Sequence, residues 1–119
     1  MRGGHVASKA EVQKQLEILF KRLGENHDSV RGAIPDRKVL RCQVTDLDTA
    51  WHSVIEGGQV SRPTEAPPAD GRVDITLRIG SDDLVDLIEG RQSFLSAFTS
   101  GRVKVDASIM DLLRLRTLL

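Results

Sequence analysis

Residues 71–79, GRVDITLRI, decide the fold. Val73, Ile75, Leu77 and Ile79 alternate with Asp74, Thr76 and Arg78, the period of two that writes a strand with one face in a core. This is the clearest strand in the chain, expected in the middle of a sheet. Ser81 follows as a helix N-cap, and Asp82 and Asp83 put negative charge in the first turn, where the helix dipole favours it. Leu84, Val85, Leu87 and Ile88 give that helix its apolar face, and Gly90 ends it. A second short helix is expected over 93–99, capped by Ser93, with Phe94, Leu95 and Phe98 turned inward and Gly101 as its stop. A strand over 102–106 then points Val103 and Val105 inward, and Ser108 opens a last helix. There Ile109, Met110, Leu112, Leu113, Leu115, Leu118 and Leu119 spread round most of the circumference, more than one sheet can bury. A frayed end, a dimer contact and a face turned to an apolar cavity all fit that pattern.

Upstream, residues 61–71, SRPTEAPPADG, hold three of the four prolines. Proline lacks the backbone donor and fixes φ, so the stretch is neither helix nor central strand; it reads as a crossover within one domain. Before it, Leu40, Cys42 and Val44 alternate with Arg41, Gln43 and Thr45, and a turn over 46–49 leads to a second alternation over 50–56. Trp51, Ser53 and Ile55 share one face there; His52, Val54 and Glu56 share the other. Gly57-Gly58 signals a hairpin into a short strand near Val60, giving three consecutive antiparallel strands. Residues 25–37, with Asn26, Asp28, Gly32 and Pro35, read as a loop. A helix is expected over 9–23: Ser8 and Glu11 form a capping box, Val12, Leu16, Leu19, Phe20 and Leu23 make one stripe, and Gly24 supplies a left-handed stop. Residues 1–7, with a solvated His5, read as a flexible tail, leaving 8–119 as a single domain.

Composition bounds the function. The 119 residues carry 17 basic and 17 acidic side chains and are 39% hydrophobic, enough for one core and at most one site. Nine of the Lys and Arg residues fall in 1–60 and eight in 61–119, so no basic face marks a nucleic-acid footprint. The single cysteine, Cys42, points inward among apolar neighbours, where burial raises a thiol pKa and packing is its role. No charged-then-apolar leader opens the sequence and no apolar run suits a membrane span, so a cytoplasmic protein without stable membrane insertion is expected. No serine or cysteine sits in a nucleophile motif, His27 falls in the loop and His52 faces away from the core. Three histidines and one cysteine at unrelated spacings make no metal site, and RGGH, EGGQ and EGRQ lack the glycine spacing of a phosphate-cradling loop. Asp82 and Asp83 read as helix-start charges. No catalytic residue, metal or cofactor is expected.

Two stretches, GRVDITLRIGSDDLVDLIEG and FLSAFTSGRVKVDASIMDLLRLRTLL, together with the element order, resemble the sterol carrier protein 2 family of lipid-binding domains. The resemblance is strong over residues 70–119 and consistent in order over 38–60. Asp74 matches the family's strand aspartate and Gly90 the glycine ending the next helix; Ala97, Phe98 and Gly101 match the alanine-phenylalanine pair and glycine before the following strand. Trp51 matches the tryptophan of the hairpin's second strand. The resemblance implies an α+β fold: a mixed five-stranded sheet with helices packed on one face, in the order α-β-β-β-crossover-β-α-α-β-α. Ala107-Ser108 departs from the family's glycine followed by aspartate or asparagine, which puts the turn into the last helix in question. The end, Arg116-Thr117-Leu118-Leu119, lacks the peroxisomal address of eukaryotic members, so a bacterial cytoplasmic protein is expected.

The resemblance implies binding and carriage or sequestration of a fatty acid, acyl-thioester or other lipid in an apolar cavity between sheet and helices. Candidate lining residues are Trp51, Ile75, Leu77, Leu84, Ile88, Phe94, Phe98, Val103, Met110 and Leu113. Such a cavity needs no catalytic group: about 0.8 kcal/mol per buried methylene supplies the affinity. The alternative is a non-catalytic interaction or accessory module with a closed cavity, using its apolar C-terminal helix against a second copy or a protein partner.

Overall fold

The computed structural model describes residues 7–118, with side chains through Arg114. Residues 1–6 of the expected tail, and the side chains of Leu115, Leu118 and Leu119, lie outside the described residues. Ala7, assigned to the tail from sequence, is instead buried, and its amide donates to Ser81 Oγ at 3.0 Å.

Helix α1 (Lys9–Glu25) starts on the expected capping box: the Ser8 hydroxyl accepts from the Glu11 amide, and the Glu11 carboxylate from the Ser8 amide. Val12, Leu16 and Phe20 are its buried stripe. Gly24 does not stop it. The helix runs one residue further and ends on Asn26, because one glycine inside a helix costs only about 1 kcal/mol. The loop expected over 25–37 also needs correction, since it contains a second helix, α2 (His27–Ala33). Val30, Ala33 and the following Ile34 pack with Ile55 in a small core of their own. Burial of these three side chains overrides the poor helix propensity of the Asn, Asp and Gly residues around them.

Strand β1 (Lys38–Val44) passes through a 3-10 turn (Thr45–Leu47) into β2 (Thr49–Glu56), then β3 (Gln59–Val60). Gly57 and Gly58 both take positive φ at the hairpin. A Cβ on Gly58 would collide with the His27 carbonyl oxygen, so glycine is required there by conformation and by space. After the crossover come β4 (Ile75–Ile79), α3 (Ser81–Ile88), α4 (Phe94–Thr99), β5 (Val103–Asp106) and α5 (Ile109–Leu118). The sheet order is β3-β2-β1-β4-β5, with β1 and β4 parallel and the other neighbours antiparallel. The mixed five-stranded α+β architecture is therefore present, with one helix more than the expected order. The middle strand is β1; β4 is interior but one place nearer the edge. It also begins at Ile75, not Gly71, after Asp74 clamps the chain to β1: the Asp74 amide donates to Val39 O at 2.9 Å and its carboxylate accepts from the Val39 amide at 2.8 Å.

One sheet face carries Leu40, Cys42, Val44, Trp51, Ile75, Ile79 and Val103 into a core closed by Val12, Leu16 and Phe20 of α1 and Leu84, Val85 and Ile88 of α3. Residues of opposite parity, Arg41, Gln43, His52, Arg78 and Lys104, take the other face. Ser81 is buried as the first residue of α3 and Gly80 is the N-cap, which corrects the assignment of Ser81 as the cap. The cap's chemistry comes from elsewhere in the chain. Asp46, in the β1–β2 turn, accepts the Ser81 amide and hydroxyl at 2.8 and 2.7 Å.

Candidate functional site

Along β4 the inward-facing residues are Ile75, Leu77 and Ile79. Ile75 and Ile79 are buried, but Leu77 between them is only half-buried. Its cross-strand neighbour on β5 is Val105, also half-buried, although Val103 on the same face is closed. The described residues thus leave an apolar pair partly open on the helix side of the sheet. Helix α4 joins β5 at the Val103 end and α5 leaves from the Asp106 end, so the pair lies between the attachment points of two helices.

Both helices present apolar side chains to the outside. On α4, Ser93 caps Ser96 as expected and Phe94 packs against the core. The Phe98 ring stacks on Phe94 with centroids 6.2 Å apart, yet Phe98 is 45% exposed and Leu95 is 70% exposed. The expectation that Leu95 and Phe98 turn inward is corrected: Ala97, fully buried, takes the inward position beside Phe94. A six-residue helix at the sheet edge offers a narrow inward face, and a small residue lets it approach β5. On α5, Ile109, Met110 and Leu113 are 77%, 59% and 54% exposed.

Among the described residues of α5, an ion-pair cluster anchors the start of the helix. Asp111 is almost fully buried, 3.4 Å from Lys38 Nζ and 3.5 Å from Arg114 Nη1, and Arg114 reaches Asp36 at 3.7 Å. Ser108 Oγ accepts from the Asp111 amide at 3.1 Å, capping the helix. Ala107 packs against the core, and among the described residues Asp48 is the one non-glycine with positive φ. The departure at Ala107-Ser108 is therefore accommodated without a left-handed residue.

The ten candidate lining residues divide. Trp51, Ile75, Leu84, Ile88 and Val103 are closed in the core, and the Trp51 indole Nε1–H donates to Gln13 Oε1 at 2.6 Å. Leu77 and Phe94 pack against that core and stay half-open, while Phe98, Met110 and Leu113 are exposed. Val105, Leu95 and Ile109 belong with this second group and were not among the ten. Alternation did identify Val105 as inward-facing, but only strand register shows that it opposes Leu77.

His52 Nε2 accepts from Arg41 Nε at 3.0 Å, and desolvation with the Arg41 charge lowers the imidazole pKa. Burial pushes the Cys42 thiol up to about 12, leaving no thiolate for chemistry. For Asp74, burial alone would raise the pKa. The Val39 amide and the Arg72 guanidinium outweigh it and hold the carboxyl below its ordinary value.

A model of the SCP-2 sterol transfer family matches residues 9–119. This chain belongs to the SCP-2 sterol transfer family. Lipid binding and transfer are the general property of that family. No curated protein matches the sequence significantly. Among solved structures, UbiJ-SCP2, a ubiquinone synthesis protein, is 24% identical with a TM-score of 0.66 over 92% of this SCP-2 chain and 94% of its own. The sterol carrier protein domain 2 of Helicoverpa armigera is 18% identical, with a TM-score of 0.62 over 97% of this chain and 91% of its own. The inverting sec-alkylsulfatase Pisa1 from Pseudomonas sp. is 18% identical, with a TM-score of 0.62. That match covers 87% of this chain, which spans only 16% of the sulfatase. At these identities the likenesses show a shared SCP-2 fold. Among the described residues, no helix of this SCP-2 chain is long and apolar enough to cross a membrane.

Proposed function

We propose that this chain is a non-catalytic cytoplasmic carrier or sequestering protein that holds the apolar tail of a fatty acid, acyl-thioester or other lipid over Leu77 and Val105, between α4 and α5. The observation that carries this reading is the half-open Leu77–Val105 pair, set beside the buried Ile75, Ile79 and Val103 on the same face. Such a pair inside a sheet forfeits burial that a ligand tail restores, at about 25 cal/mol per Å² of apolar surface covered. Phe94, Phe98, Met110 and Leu113 are the side chains on either side that would follow the tail, and Trp51, Ile75, Leu84, Ile88 and Val103 hold the wall behind it.

Exposed Ile109 and Met110 favour a second reading, in which the apolar face of α5 meets a protein partner or a second copy. Native mass spectrometry of protein purified from a bacterial host, followed by unfolding and extraction, separates the two. Carriage predicts adducts in the mass range of fatty acids or phospholipids that are lost on unfolding. A clean monomer that also refuses added fatty acid would refute carriage, and a clean dimer would favour the protein contact.

A further inference from the structure

We infer that the free edge of β3, at the opposite end of the sheet from Leu77 and Val105, is a docking edge for an extended peptide that joins the sheet as a sixth strand. The two-residue hairpin pairs Glu56 with Gln59 and Ile55 with Val60, and the Ser61 amide donates to Val54 O at 2.9 Å. Antiparallel ladders alternate between pairs that exchange hydrogen bonds and pairs that do not. With Ser61–Val54 bonded, Val60–Ile55 is the unbonded pair, so the Val60 N–H and C=O point away from β2 toward the open edge.

Two grooves flank this edge, one on each sheet face, and Val60 borders both. The helix-side groove, about 450 Å³, lies against Phe20, Val60 and Pro63, with Glu17, Lys21, Glu25 and Arg62 at its rim. Glu17 and Arg62 neutralise each other at 2.6 Å. The groove on the other face, about 290 Å³, is lined by Val54, Glu56, Gln59, Val60 and Ser61, and Glu56 is the one charged side chain among these. Successive side chains of an added strand point to opposite faces, so neighbouring residues of one peptide would enter the two grooves in turn. Main-chain bonds to Val60 with alternate side-chain pockets are the elements of strand addition. Charge complementarity then names the occupant: an extended segment in which an apolar residue, for the Phe20–Pro63 side, stands next to a Lys or Arg, for Glu56.

The test uses the full chain and a synthetic capped peptide of alternating Val and Lys, followed by amide chemical shifts in a titration. Binding should shift the Gln59, Val60 and Ser61 amides. An N-methyl group on the peptide's central residue, which removes a donor, should weaken binding at least about tenfold, and Glu56→Lys should weaken the parent peptide comparably. Equal affinity for the N-methylated peptide, or shifts confined to α4 and α5, would overturn the proposal. Concentration-dependent shifts of Gln59–Ser61 without peptide would also overturn it, by assigning the edge to a second copy.

Discussion

Asp46 grips Ser81 with both carboxylate oxygens, Oδ1 on the amide at 2.8 Å and Oδ2 on the hydroxyl at 2.7 Å, across 35 residues of sequence. The same hydroxyl accepts the Ala7 amide at 3.0 Å, so one buried serine ties the β1–β2 turn and the segment entering α1 to the start of α3. Asp46→Ala leaves the Ser81 amide and hydroxyl without their acceptor. We expect a loss of about 1–2 kcal/mol, the range for an N-cap deletion, read as a lower urea midpoint at unchanged slope. An unchanged midpoint would show that water replaces the carboxylate.

Acid stability should depend on Asp74. Its carboxyl titrates below the ordinary range because the net effect of the Val39 amide and Arg72 exceeds that of burial. A group whose folded pKa is depressed adds stability above its unfolded pKa, about 3.9, and loses it as pH falls through the folded value. Urea midpoints of the parent should therefore fall as pH drops below about 4, and Asp74→Asn should flatten that limb while lowering stability near pH 7. Parallel pH profiles for the two proteins would remove Asp74 from the account.

Cys42 should be silent. With burial holding its pKa at about 12, the native thiol should resist a thiol-specific reagent at about pH 8 and react promptly once unfolded. Fast labelling of the native protein would mean that β1 opens far more readily than its central position implies.

Much of this fold was legible because most elements announce themselves locally. The alternations of β1, β2, β4 and β5, the Ser8–Glu11 box and the Gly57-Gly58 hairpin each follow from neighbours within a few residues. The errors arose where distant groups decide. Ser81 resembled a cap until Asp46 was brought to it; α2 resembled a loop until Ile55 gave Val30 and Ile34 something to pack against. The candidate site was half legible for the same reason. Alternation identified Leu77 and Val105 as inward-facing, but their pairing, their partial exposure and the outward turn of Leu95 and Phe98 depend on how α4 and α5 leave β5.

A bulkier side chain should separate ligand binding from folding. Leu77→Trp or Phe98→Trp should obstruct a lipid tail and reduce fatty-acid uptake at least about tenfold, at a stability cost of about 1–3 kcal/mol or less. Arg78→Ala, on the far face of β4, should leave uptake unchanged. Undiminished uptake by folded tryptophan variants, checked by circular dichroism, would count against these positions.

The most direct measurement is photo-cross-linking with a fatty acid carrying a diazirine near its tail, followed by peptide mapping of the labelled protein. The account predicts adducts at Leu77, Val105, Phe98 and Met110 that competing unlabelled fatty acid abolishes. Competable adducts mapping instead to the groove at Phe20, Val60 and Pro63, or no competable adduct anywhere, would contradict it.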